Sequence, residues 1–133
     1  MSFFRCKKNS KSSAREFKRA KKAMKVAGKR LRRADRYMKN GKRQQFFEQM
    51  LKAQWGYLGD RFSISYAKLD RQKVKEEMQK NNIPEKDIKA VFEIISICEF
   101  AREAPSTVHA DMRKILDQTL NLINTTEEKL SQS

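Results

Sequence analysis

Apolar residues recur at steps of three and four along most of this chain, the spacing that places them on one face of an α-helix. The first such stretch follows Ser13, which lies three positions before Glu16, the spacing of a capping box. It ends at Asn40-Gly41, because both residues tolerate the left-handed conformation that often follows a helix. Its apolar positions are Phe17, Ala20, Met24, Ala27, Leu31, Ala34 and Met38. Several of these are alanines, so a neighbouring helix can approach closely.

A second helix is predicted from about Lys42 to Arg61, and the tight turn before it makes the first two helices an antiparallel hairpin. Its apolar residues cover more than one stripe, which predicts that this helix lies at the centre of the core. They are Phe46, Phe47, Met50, Leu51, Ala53, Trp55, Tyr57, Leu58 and Phe62. Such a set is also compatible with a stacking platform for single-stranded nucleic acid. Core packing is favoured, with Trp55 or Tyr57 the residue expected to reach the surface.

Three shorter helices are predicted after the hairpin. Capping residues and helix breakers give bounds of 70–81, 84–104 and 106–124, after a short turn at 66–69. Asp70 is the expected N-cap of the first of these helices, and Ser106 or Thr107 that of the last. Pro84 opens the middle helix. Because no alternating run supports a sheet, we expect an all-α fold of about five helices, with an N-terminal antiparallel helical hairpin packed on a smaller helical bundle.

The two ends of the chain lack this periodicity. Residues 1–12 are polar and basic apart from Phe3-Phe4 and are predicted to be disordered, and residues 125–133 are expected to fray. Between these two ends we expect a single helical domain over residues 13–124. With 38% hydrophobic residues among 133, the chain has material for one modest core. We expect no membrane-spanning run and no signal peptide within it.

Charge divides the chain more sharply than hydropathy does. The chain carries 31 Lys+Arg and 16 Asp+Glu, a formal charge of +15. Residues 1–50 hold 18 of these cations with three acids, whereas residues 51–133 hold 13 of each sign. An excess confined to one end points to a polyanion: nucleic acid, an anionic membrane surface or an acidic partner. It is concentrated on the first helix, at Lys21, Lys22, Lys25, Lys29, Arg30, Arg32, Arg33 and Arg36.

Residue types that carry catalysis or bind metals are few and scattered. The one histidine, His109, is expected on a solvent-facing first turn of the last helix. Cys98 lies on an apolar stripe, where a buried and inert thiol is expected. Cys6 lies among cations that lower a thiol pKa, but no His or Asp accompanies it. The wide separation of the cysteines argues against a disulfide framework and a zinc site and suits a reducing compartment. The sequence therefore predicts no enzyme, no cofactor and no metal.

Two segments carry a family resemblance. They are AKKAMKVAGKRLRRADRYMKNGKRQQFFEQMLKAQWGYLGDRFSI at 20–64 and CEFAREAP at 98–105. Over roughly residues 15–125, the chain resembles the C-terminal cytoplasmic region of BatD, the aerotolerance family of Bacteroides-type bacteria. The resemblance implies a longer protein with periplasmic β-sandwich-like repeats and one membrane helix before this domain, which would lie on the cytoplasmic side of the inner membrane. It also implies von Willebrand factor A-type Bat proteins and a MoxR-type AAA+ ATPase as partners, in envelope or oxidative stress.

This placement gives the basic N-terminus a role. The residues after Phe3-Phe4 resemble the positive-inside flank of a membrane helix, and we expect them to contact the membrane surface. They are Arg5, Lys7, Lys8 and Lys11. The cations farther along the chain are expected to contact a protein partner or another polyanion. They are Lys22, Lys25, Lys29, Arg32, Arg33 and Arg36.

The sequence therefore predicts a non-enzymatic protein-interaction domain of a membrane-anchored, BatD-like protein. The alternative is a nucleic-acid-binding helical module that uses the basic first helix. Nucleic acid is the less favoured partner, because no helix-turn-helix and no group of base-reading side chains is recognisable.

Overall fold

The computed structural model describes residues 10–104 and 111–132, with side chains from residue 14 onward. Throughout these ranges the fold is all-α, without a strand, as the sequence predicts. The helices are α1 (Ser10–Lys39), α2 (Arg43–Arg61), α3 (Arg71–Lys80), α4 (Glu85–Glu103) and α5 (Met112–Ser131), and a single 3₁₀ turn (Tyr66–Lys68) precedes α3. None of the helices in the described ranges has the length and apolar character needed to cross a bilayer.

The predicted helical hairpin is formed by α1 and α2, which pack against each other more extensively than any other pair of elements. The turn between them is a Schellman motif: Lys42 N–H donates to Tyr37 C=O at 2.8 Å and Gly41 N–H to Met38 C=O at 3.1 Å. Gly41 has a φ of +70°, which a residue without a Cβ adopts at low cost. The expected stop at Asn40-Gly41 is confirmed.

The seam of α1 is shifted relative to the sequence prediction. Its fully buried positions are Ala23, Ala27, Leu31 and Ala34. Phe17, which the spacing assigned to the seam, is 67% exposed because it lies beyond the part of α1 that the core covers. Small side chains at the contact allow α1 and α2 to approach closely, as expected.

The central position of α2 is also confirmed. Phe46 and Phe47 are both fully buried and meet edge to face, with ring centroids 5.0 Å apart. The helix contacts α1 on one side and α4 and α5 on the other. A helix surrounded in this way buries side chains around most of its circumference, which is why its apolar residues do not form a single stripe.

Several predicted helix ends agree with the structure. The Asp70 carboxylate accepts a hydrogen bond from Lys73 N–H at 2.8 Å and caps α3. Pro84 directly precedes α4, and α4 ends at Glu103, before Ala104. These ends are set by capping residues and by proline geometry, which depend only on residues close together in the sequence.

Other ends differ from the prediction. The first helix starts at Ser10, so Ser13 lies inside α1 and is not its N-cap. At α5 the cap is Asp111, which accepts from Lys114 N–H at 3.0 Å. The predicted caps Ser106 and Thr107 lie outside the described residues, and α5 itself begins later than expected, at Met112.

The C-terminal end of α5 shows the largest difference. The sequence analysis ended this helix at about Asn124 and left 125–133 frayed, whereas α5 continues to Ser131. Tertiary contacts account for the extra turns: Thr126 is 2% exposed, and Glu127 forms a 2.8 Å ion pair with Arg61 of α2. Such long-range contacts leave no local pattern in the sequence.

Candidate interaction surface

The solvent-facing side of α1 carries a row of cations. We call this row the cationic stripe; its members are Lys18, Lys22, Lys25, Lys29, Arg32, Arg33 and Arg36, and all are exposed. Because they recur at steps of three and four, they lie on one helix face, opposite the alanine seam. With a rise of about 1.5 Å per residue, the stripe is about 27 Å long. No acid falls on this face between its first and last member.

The described part of the chain does not neutralise the stripe. No stripe member forms an ion pair with any side chain that the structure describes. The two acids of α1 point to other partners: Glu16 lies 2.7 Å from Arg61, and Asp35 contacts Lys39 at 2.9 Å and Arg113 at 3.1 Å. The hydrogen bond from Lys39 is the largest cause that lowers the pKa of Asp35. The stripe therefore presents its positive charge to solvent.

The residues predicted to contact a polyanion fall on this surface. Lys22, Lys25, Lys29, Arg32, Arg33 and Arg36 all belong to the stripe. Their contact with a partner stays a prediction. Of the predicted membrane contacts, Arg5, Lys7 and Lys8 lie outside the described residues, as does the side chain of Lys11, so that assignment also stays a prediction.

The aromatic residues of α2 are divided between core and surface. Tyr57 is 3% exposed, and its hydroxyl donates a hydrogen bond to Glu127, whose other partner is Arg61. Burial, followed by the Glu127 hydrogen bond, raises the pKa of Tyr57 well above its usual range. Trp55 is half-buried, so it is the residue of the predicted pair that reaches the surface.

Trp55 lies beside an open groove that the sequence analysis did not anticipate. The groove has a volume of about 870 Å³ and is bounded by α1, α2, the 3₁₀ turn and the end of α4. Its apolar lining includes Leu51, Trp55, Tyr66 and Leu69. Its charged lining consists of the cations Arg30, Lys52 and Arg102 and the acid Glu48. Cations thus outnumber acids around an aromatic floor.

A glycine inside α2 shapes one wall of this groove. A Cβ at Gly56 would overlap Nη1 of the Arg30 guanidinium. This same nitrogen donates a hydrogen bond to the Lys52 carbonyl at 3.3 Å. Because Gly56 has no side chain, it leaves the space that the Arg30 guanidinium occupies. A glycine in a helix interior destabilises it relative to alanine, so the space that Gly56 leaves for Arg30 is obtained at a cost to the helix.

Of the residues considered for chemistry, Cys98 lies in the described part of the chain and Cys6 does not. Cys98 is fully buried, and burial raises the pKa of its thiol to about 11, which supports the expected inert role. His109 lies outside the described residues. Over the ranges that the structure covers, no group of three His, Cys, Asp or Glu side chains is arranged to hold a metal ion.

Comparison of this chain with protein-family models, with curated proteins and with solved structures finds no match. Among the surfaces described above, the cationic stripe carries the most charge.

Proposed function

We propose that this chain is a non-enzymatic interaction domain that binds an acidic protein partner through the cationic stripe of α1. The observation that carries the proposal is the seven exposed cations on one helix face, with no acid among them and no ion pair to the rest of the described chain. Holding like charges side by side is unfavourable within a helix. An acidic partner would offset that repulsion and be guided to the stripe by long-range attraction.

The resemblance to BatD supplies the cellular setting of this proposal. In that setting the domain follows a membrane helix on the cytoplasmic side of the inner membrane, and its basic N-terminus lies against anionic headgroups. Each Lys or Arg near such a surface contributes on the order of 1 kcal/mol of binding. The von Willebrand factor A-type Bat proteins and the MoxR-type ATPase are then the candidate partners of the stripe, in a role connected with aerotolerance and oxidative stress.

Nucleic acid is the second candidate, and the linear form of the stripe favours it. Cations repeated along about 27 Å can follow a phosphate backbone. A phosphate-tracking site for single strands usually adds exposed aromatic rings on which bases stack. The stripe itself contains none, so we rank an acidic protein first.

The test compares two variants of equal net charge. The stripe variant replaces Lys22, Lys25, Lys29 and Arg36 by Gln, and the control variant replaces Lys75, Lys86, Lys89 and Lys114 by Gln. All eight positions are exposed. Binding of each variant is measured against a purified von Willebrand factor A-type Bat protein, a 20-base-pair DNA duplex and vesicles that contain phosphatidylglycerol, at near-physiological salt.

We expect the stripe variant to bind the Bat protein at least about tenfold more weakly than the wild type, and the control variant to retain binding. Binding that is tightest to the duplex and that falls log-linearly with salt concentration would assign the stripe to nucleic acid instead. Equal losses in the two variants would contradict the proposal, because net charge alone would then explain the binding.

A further inference from the structure

The groove beside Trp55 has the composition of a peptide-binding site. Interface residues that contribute most to binding energy are enriched in Trp, Tyr and Arg, and the groove is lined by Trp55, Tyr66, Arg30 and Arg102. Its volume of about 870 Å³ lies within the range of ligand-binding clefts. Tyr66 is 93% exposed, which is unusual for a residue with so large an apolar surface.

Two of the groove residues, Trp55 and Arg30, are held in place by contacts that do not occupy the groove. The Arg71 guanidinium lies 5.9 Å from the centroid of the Trp55 ring and is fixed by Glu99 at 2.9 Å and by Ser96 Oγ at 3.0 Å. Arg30 is seated on Gly56, as described above. A site whose aromatic and cationic groups are oriented before binding loses less conformational entropy when the ligand arrives.

We propose that this groove binds an acidic peptide segment of another protein, with one aromatic or large aliphatic side chain of the peptide inserted between Trp55 and Tyr66. Arg102 is ion-paired with Glu103 at 2.9 Å, so Arg30 and Lys52 face the single acid Glu48, and this excess of positive charge complements acidic residues on either side of that anchor. Leu51 and Leu69 add an aliphatic part to the lining, which suits the apolar side chain of a peptide.

The occupant does not come from the undescribed parts of this chain. Residues 1–9 are basic and residues 105–110 contain no Asp or Glu, so neither segment complements the groove. The inference keeps the proposed role as an interaction domain but assigns a second surface to it. The groove lining contains no member of the cationic stripe.

The single tryptophan of the chain allows a direct test. The probe is a ten-residue synthetic peptide of Asp and Glu with a central Phe-Leu pair, and the readout is the emission of Trp55. One control peptide carries Ala at both apolar positions, and a second carries Lys in place of the acids. We expect a saturable change in emission with a Kd below about 1 mM for the first peptide only.

Two variants separate binding from folding. Tyr66→Ala removes a side chain that is 93% exposed, so we expect an unchanged Tm and at least about tenfold weaker peptide binding. Gly56→Ala displaces the Arg30 guanidinium but adds a better helix former, so we expect weaker binding together with a Tm raised by roughly 2–4 °C. A merely structural role of Gly56 would not move binding and stability in opposite directions.

The stripe variant is titrated with the same peptide to keep the two proposals apart. If it retains the Trp55 response while losing the Bat protein, both proposals stand. A response that survives Tyr66→Ala, an equal response to the Ala control peptide, or no response at all overturns the groove inference alone. Stronger binding of an oligothymidylate than of the peptide would also overturn it, and would assign the groove to nucleic acid.

Discussion

The two helices of the N-terminal hairpin lie side by side but bury very different fractions of their residues. Eleven of the 19 residues of α2 are buried, on nearly all sides of the helix. In α1 only four of the described residues are buried, and three of those are alanines. The stability of the fold therefore depends mainly on α2, whereas α1 contributes a narrow seam and leaves most of its surface exposed. A substitution of the same kind should have very different effects in the two helices.

The largest difference is expected for phenylalanine. Phe46 of α2 is fully buried, and Phe46→Ala should lower the free energy of unfolding by about 3–5 kcal/mol, because it removes a large core side chain and leaves a cavity. Phe17→Ala in α1, where the ring is 67% exposed, should change it by less than about 0.5 kcal/mol. Urea denaturation followed by circular dichroism measures both. Similar losses in the two variants would mean that α1 carries part of the core.

Arg61 tests how α2 holds its neighbours. Its Nη1 lies 2.7 Å from Glu16 of α1 and its Nε 2.8 Å from Glu127 of α5, and the side chain is 6% exposed. We expect Arg61→Ala to cost about 3 kcal/mol, because Glu127 then loses its cation and stays largely buried. The measurement is again urea denaturation.

A lysine at this position provides the control. Arg61→Lys keeps the charge but not the planar fork that reaches two carboxylates from two nitrogens, so its loss should be intermediate. A variant Arg61→Met as stable as the wild type would show instead that apolar packing replaces the ion pairs without loss.

Cys98 allows the burial of α4 against the core to be measured through pH. Burial raises the pKa of the thiol to about 11, although Gln54 Nε2 of α2, 3.7 Å from its Sγ, acts in the opposite direction. A thiol in an unfolded chain ionises near pH 8.5. The folded state therefore binds the proton more tightly, and the stability that results is present below pH 8.5 and is lost as the pH rises towards 11.

Relative to a Cys98→Ala variant, the free energy of unfolding of the wild type should fall by about 3 kcal/mol between pH 8 and pH 11. Lysines and tyrosines titrate in both proteins and cancel in this difference. Parallel pH profiles of the two proteins would mean that the thiol is open to solvent.

What the sequence could predict follows from the range of the interactions involved. The Gly41 turn, the Asp70 cap and the proline at the start of α4 depend on neighbouring residues, and all three were predicted correctly. The extension of α5 to Ser131 was not, because it depends on contacts between Glu127 and residues of α2 far away in the sequence.

The same distinction applies to the two surfaces. The cationic stripe lies on a single helix, so its periodicity is visible in the sequence. The groove combines Arg30, Trp55, Tyr66 and Arg102 from four separate elements, and only their packing brings them together. In the sequence Gly56 stands out only as a glycine inside a helix, and nothing local identifies Arg30 as the side chain that it accommodates.

The smallest expected effect concerns the stripe itself. Replacing Lys22, Lys25, Lys29 and Arg36 by Gln removes like charges that face one another at steps of three and four, each such pair being unfavourable by a few tenths of a kcal/mol. The variant should therefore be more stable than the wild type by about 0.5 kcal/mol at low salt. At 1 M salt, where the screening length is about 3 Å, the difference should vanish.

The control substitutions at Lys75, Lys86, Lys89 and Lys114 lie in the part of the chain that holds 13 cations and 13 acids. Their removal relieves little repulsion and should give no gain in stability. A surface selected for recognition commonly carries such a local cost, whereas cations that support the fold lower stability when they are removed. A loss of more than about 1 kcal/mol in the stripe variant would thus mean that the stripe cations stabilise the fold.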